Sequence, residues 1–147
     1  MSDRFDKNKF RHSCKLDVRF SDLDAFGHVN NARFITYFEE ARVKYFDEIV
    51  TVPVYWAKQG LILARIECDF RDAIKHGDEL TAYTRCSRIG NKSFDLDYLI
   101  EKKSKEGKIS IASTGMSVLV AYDYEKNSAM TIPEKWLNDI KKFERII

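Results

Sequence analysis

One ten-residue segment concentrates the reactive side chains of this sequence: Asp22-Leu23-Asp24-Ala25-Phe26-Gly27-His28-Val29-Asn30-Asn31 sets two carboxylates, a glycine, an imidazole and two amides in a row. It lies between a strand-like stretch and a helix-like one, so its chemistry depends on how the helix begins. With Asn30 as N-cap, its side-chain oxygen takes the N–H of Ala32 or Arg33, leaving the Asn31 N–H free at the positive end of the helix. Such an N–H is a ready donor for an anion or an oxyanion. Gly27 permits a tight turn or a close approach to a ligand, and Asp24, three residues earlier, can lie beside that donor. A carboxylate next to an oxyanion donor suits attack on an activated acyl group, above all a thioester, whose thiol leaves with a pKa of about 8.5. An amide nitrogen would need protonating, and no persuasive general acid accompanies Asp24.

Competing readings of these residues are weaker. Asp22 and Asp24 followed by Gly27 resemble a calcium loop, but the fifth position is Phe26 and the twelfth Arg33, where an oxygen ligand and a glutamate are needed. Asp22 reads as a turn former, His28 as either a local hydrogen-bonding group or an acid-base residue, and His76-Gly77-Asp78 as a hairpin turn. Tyr55 and Trp56, in an irregular connector, are candidates for lining a pocket. Serine-hydrolase and nucleotide-hydrolase signatures are absent from the sequence.

The flanking elements follow from periodicity. Cys14, Leu16, Val18 and Phe20 alternate with polar residues and predict a half-buried strand over 13–20. Phe34, Phe38, Ala41, Tyr45 and Ile49 recur at helical spacing and predict one long amphipathic helix over 31–50. Alternation centred on 62–70, 80–89, 93–101 and 109–122, punctuated by Gly77, Gly90-Asn91 and Gly107, predicts four successive antiparallel strands. Pro133 opens a short C-terminal helix through Lys142. The class is α+β, with a five-stranded antiparallel sheet packed on one long helix.

The length of 147 residues suits one domain over 1–147, and 33% charged residues with only six Gly and two Pro exclude collagen-like, low-complexity and disordered classes. Lys and Arg number 25 against 23 Asp and Glu, with signs mixed, so neither nucleic acid nor membrane is expected as a partner. The start Met1-Ser2-Asp3-Arg4 lacks the apolar core of a signal peptide, and a cytoplasmic location is expected. Cys14, Cys68 and Cys86 are odd in number and widely spaced, which favours reduced thiols over disulfides or a zinc site.

The stretch from Arg19 to Asn31 followed by Tyr37-Phe38-Glu39-Glu40-Ala41-Arg42 resembles the hotdog-fold acyl-CoA thioesterases of the 4-hydroxybenzoyl-CoA type. Its Gly27-His28-Val29-Asn30-Asn31 portion is also similar to plant acyl-carrier-protein thioesterases, and the likeness continues through 76–80, 89–94 and 132–134. The resemblance implies a hotdog fold, a homodimer or homotetramer joined sheet edge to sheet edge, and active sites at the dimer interface. It implies an acyl-CoA substrate, with acyl carrier protein as a further partner, and no cofactor or metal. By the same resemblance Asp24 is nucleophile or general base and the Asn31 N–H polarises the thioester carbonyl; His28, Asn30 and Asn31 depart from the apolar or aromatic residues usual in the 4-hydroxybenzoyl branch, which makes Asn30 and His28 further catalytic candidates. Gly27, Tyr55 and Trp56 would line the substrate site, and Arg88, Asn91 and Lys92 would meet the CoA phosphates. A non-catalytic module that binds acyl-CoA or a protein partner is the alternative function.

Overall fold

The structure is a computed structural model that describes residues 3–51 and 57–146. Tyr55 and Trp56 therefore lie outside the described residues. The elements run β1 (His12–Leu16), α1 (Asn31–Ile49), β2 (Gln59–Phe70), β3 (Glu79–Ile89), β4 (Ser93–Lys103), β5 (Ile109–Asp123), β6 (Ser128–Ala129) and α2 (Glu134–Glu144). The five longer strands form one antiparallel sheet in the order β1-β3-β4-β5-β2, and the two-residue β6 pairs with β5. Nineteen residues of α1 lie across the inner face. This is the hotdog architecture: a curled sheet around one long helix.

The buried stripe of α1 is Phe34, Tyr37, Phe38, Ala41, Tyr45, Phe46 and Ile49, the set predicted at helical spacing with two more aromatics. It meets the inward side chains Leu80, Ala82, Phe94, Leu96, Tyr98, Ile100 and Leu119. Phe38 stacks on Tyr98 at 4.6 Å. A Cβ on Gly115 would run into the Phe38 ring and the Glu67 carbonyl, so only glycine lets the helix come this close to β5.

Two sequence expectations change, and one segment gains structure. β1 ends at Leu16, and Phe20 sits 82% exposed in a short 3₁₀ turn (Phe20–Asp22), because Asp22 accepts the Arg19 N–H at 3.0 Å and bends the chain out of the strand. β2 alternates poorly in burial: Ile62, Leu63 and Phe70 are all exposed, as befits an edge strand with one unpaired side and a bulge between Leu63 and Arg65. The N-terminal residues, for which the sequence predicts no element, form two 3₁₀ turns whose Arg4 reaches the fully buried Asp97 on the outer sheet face at 2.5 Å.

α2 closes the end of the core through one carboxylate. A bulge in β3 between Cys86 and Arg88 releases the Cys86 N–H, which donates to Glu144 Oε1 at 3.2 Å, and the Tyr45 hydroxyl donates to the same oxygen at 2.7 Å. Burial raises the Glu144 carboxyl above its ordinary value and pushes the Cys86 thiol up to about 12. A carboxyl whose folded value is raised favours the fold below its unfolded value, and that favour is lost as pH rises through the folded one. Glu144→Gln keeps the accepting oxygen without the charge. Thermal melts are therefore expected to show the variant gaining on wild type as the pH rises from below 4.5 towards neutrality; a pH-independent difference would contradict this.

Candidate active site

The Asp24 loop is a small hairpin built by its own side chains. Leu23 bridges Val29, the Asp24 N–H donates to the His28 carbonyl at 2.8 Å, and Gly27 turns the chain at φ +81°, where a side chain would be strained. Asp24 Oδ1 accepts the N–H groups of Phe26 at 2.9 Å and His28 at 3.3 Å. Those bonds fix the carboxylate's orientation and leave Oδ2 without a hydrogen bond among the described residues. The hairpin rests on the next loop through His28 paired with Lys75 and the Val29 N–H on the Ile74 carbonyl at 2.8 Å.

Asn30 caps α1 as expected, its Oδ1 accepting the Ala32 N–H at 2.9 Å while its carbonyl takes the Arg33 N–H at 2.8 Å. Among the described residues the Asn31 N–H has no partner. A free donor thus stands at the N-terminus of a helix of about five turns. Asp24, His28 and Asn31 line one open cleft of about 300 Å³ together with Phe34, Phe70 and Arg71. Phe70 and Arg71 were not legible as cleft residues, because strand periodicity says nothing about what lies across from its end.

Asp22 lies beneath this loop and is buried. Its Oδ2 accepts the Tyr37 hydroxyl at 2.7 Å and the Arg19 N–H at 3.0 Å, its carbonyl takes the Asn30 N–H at 2.9 Å, and Arg19 and Arg33 stand 3.7 and 3.8 Å from Oδ1. Burial, reinforced by this carboxylate, raises the Tyr37 phenol, which stays protonated as the donor. Asp22 ties the helix start to the strand exit; it does not line the cleft.

The remaining predicted residues lie elsewhere. Arg88 makes a two-pronged pair with Asp95 at 2.9 Å, and the Asn91 and Lys92 carbonyls accept the N–H groups of Ile132 and Ala121. Their turn sits beside Ser93, which pairs with Val120 opposite Ile62, whereas the cleft is at Phe70. Eight residues of β2 separate the two ends, about 26 Å at 3.3 Å per residue. Within one chain the structure does not bring Arg88, Asn91 and Lys92 to Asp24.

Residues 18–140 match the family model of the thioesterase-like superfamily. The chain belongs to that superfamily, and thioester hydrolysis is the class of reaction that membership assigns to it. It is 32% identical over 137 residues to the uncharacterized protein YsmA of Bacillus subtilis (strain 168), covering 92% of this chain and 86% of that one. A thioesterase from Thermus thermophilus, solved with coenzyme A and Zn, is 33% identical, covers 93% of this chain and 96% of its own, and superposes with a TM-score of 0.77. The 4-hydroxybenzoyl CoA thioesterase of Pseudomonas sp. strain CBS-3 shares the fold at a TM-score of 0.79 and 18% identity, covering 87% of this chain and 97% of its own. No helix among the described residues is long and apolar enough to cross a membrane.

Proposed function

We propose that the protein hydrolyses an acyl-CoA thioester in the cleft between the Asp24 hairpin and the start of α1. The observation that carries this reading is the unpartnered Asn31 N–H in the same cleft as a carboxylate with one unbonded oxygen. The Asn31 N–H and the helix dipole stabilise the oxyanion that forms as the thioester carbonyl is attacked. Asp24 Oδ2 either attacks the carbonyl carbon, expelling CoA as the thiolate and leaving an acyl anhydride that water then cleaves to the free acid, or takes a proton from a water that attacks directly and expels the thiolate. His28, whose ring has no hydrogen-bond partner among the described residues, flanks the reacting group, and Asn30 acts through its cap. The CoA-bound relative from Thermus thermophilus supports CoA as the carrier. A screen of short, medium, long and aromatic acyl-CoAs for thiol release tests the reading; binding without hydrolysis of any would replace it with the non-catalytic alternative.

The unit of function in this reading is a homodimer. β2 has an unpaired outer edge, and the exposed Ile62, Leu63 and Phe70 along it, with Val43 of α1 beside Leu63, make an apolar seam. Antiparallel pairing of β2 with its copy about a two-fold axis covers that seam. It sets the cleft end of one protomer beside the opposite end of its partner's β2. Arg88, Asn91 and Lys92 of one subunit thereby approach the other subunit's cleft, where they would meet the CoA phosphates. Light scattering is expected to give at least twice 17.2 kDa, and Leu63→Lys, a charge on the paired edge, to yield monomer with turnover lost; a wild-type monomer that retains activity would contradict the shared site.

A further inference from the structure

Between the C-terminal half of α1 and the start of β2 lies an open groove of about 500 Å³ whose apolar wall is Val43, Phe46, Leu61 and Leu119. Arg42 opens into this wall. Its side chain is only 12% exposed, yet among the described residues its guanidinium makes one hydrogen bond, to the Tyr98 hydroxyl at 3.3 Å. Its Nη2 stands 3.8 Å from Glu39 Oε2, beyond hydrogen-bond reach, and the Glu39 side chain is itself 67% exposed. The Tyr98 hydroxyl lies 2.5 Å from the buried Ser117 Oγ, so one edge of the guanidinium fork is set against a buried polar pair. The other N–H groups are left to the groove. A guanidinium has five donors in a rigid plane, and the unused ones face the open groove, where an oxygen on a bound chain can meet them.

We propose that Arg42 determines acyl specificity, and that the groove takes an acyl chain carrying a neutral oxygen, foremost a hydroxyl, away from the thioester. The inference rests on the hydrolase reading and on the β2-paired dimer. Along one helix the groove residue Arg42 is eleven positions from Asn31, about 16 Å at 1.5 Å per residue. Two-fold pairing of β2 instead lays each groove beside the partner's cleft, in line with a chain leaving the Asn31 donor. Charge selects the kind of oxygen. Glu39 and Asp47 both line the groove, giving two carboxylates to one guanidinium, so a second carboxylate on the substrate is repelled. A hydroxyl accepts from Arg42 and donates to Glu39 at once. A plain chain satisfies neither group and dehydrates both.

The test compares kcat/KM for a straight-chain acyl-CoA, its ω-hydroxy counterpart and its ω-carboxy counterpart at several matched chain lengths. Wild type is expected to favour the ω-hydroxy ester by about tenfold or more over the plain one at the best length, with the ω-carboxy ester poorest. Arg42→Met is expected to bring the hydroxy-to-plain ratio near one, and Arg42→Lys, which keeps a charge but loses the planar fork, to leave an intermediate ratio. The ratio in wild type decides the matter even where a variant folds poorly. Equal rates on plain and hydroxy esters, a preference for the ω-carboxy ester, or a ratio unchanged in a folded Arg42→Met would each overturn the role of Arg42 while leaving the hydrolase reading intact. Absence of hydrolysis of every ester would overturn both.

Discussion

Asp24→Asn is expected to lower turnover of the best acyl-CoA by about 10²-fold or more while the protein melts as wild type does and still binds substrate. Stability is spared because Asp24 is only partly buried and both of its hydrogen bonds converge on Oδ1, an oxygen the amide retains. What the amide lacks is the negative charge at the other position, needed to attack carbon or to take a proton from water. Steady-state thiol release, with calorimetric titration of a non-hydrolysed acyl-CoA analogue, separates the two quantities. Near-full turnover in the variant would remove Asp24 from the chemistry.

Asp22→Ala should have the opposite signature. Asp22 is 1% exposed, and its Oδ2 satisfies the Tyr37 hydroxyl and the Arg19 N–H, both of which lose their acceptor. Leaving a buried phenol unsatisfied costs about 1–3 kcal/mol, and the neighbouring Arg19 and Arg33, roughly half exposed, are screened by water and add little. The expected loss is about 2–3 kcal/mol in denaturant unfolding, well above that of Asp24→Asn. Asp22→Asn, which retains one acceptor, should fall between them in stability and cost less turnover than Asp24→Asn. A large turnover loss in Asp22→Asn with unchanged stability would move the catalytic role one turn back along the loop.

The helix and its cap were legible because both signals are local: the apolar stripe from Phe34 to Ile49 repeats over about five turns, and Asn30 needs only its own neighbours to cap. The turn at Gly27 was legible for the same reason, and it is the one position of positive φ in that loop; the hairpin's own hydrogen bonds on Asp24 were not. What the sequence hid is long-range. The alternation of Val18 and Phe20 continues the strand pattern, and only the buried Asp22 carboxylate, tied to Tyr37 fifteen residues later, bends the chain away. The alternation in β2 predicts one buried face, whereas at the sheet edge Ile62 and Leu63, successive residues on opposite faces, are both exposed. The surroundings of Arg42 are equally long-range, since Tyr98 and Ser117 are brought beneath it from β4 and β5. The separation of Arg88, Asn91 and Lys92 from the cleft is likewise a fact of sheet topology, which the proposed pairing with a second copy of the chain would close.

In the proposed mechanism the thioester carbonyl sits on the free N–H of α1 with Asp24 beside it. A crystal structure of Asp24→Asn with its best acyl-CoA, trapped because the variant turns over slowly, tests this most directly. The carbonyl oxygen is expected within about 3 Å of the Asn31 nitrogen, the side chain at position 24 facing the carbonyl carbon or a water poised over it, and the acyl chain running into the partner protomer's α1–β2 groove. A thioester bound away from the N-terminus of α1, or an Asn31 N–H turned to a protein acceptor in the complex, would contradict it.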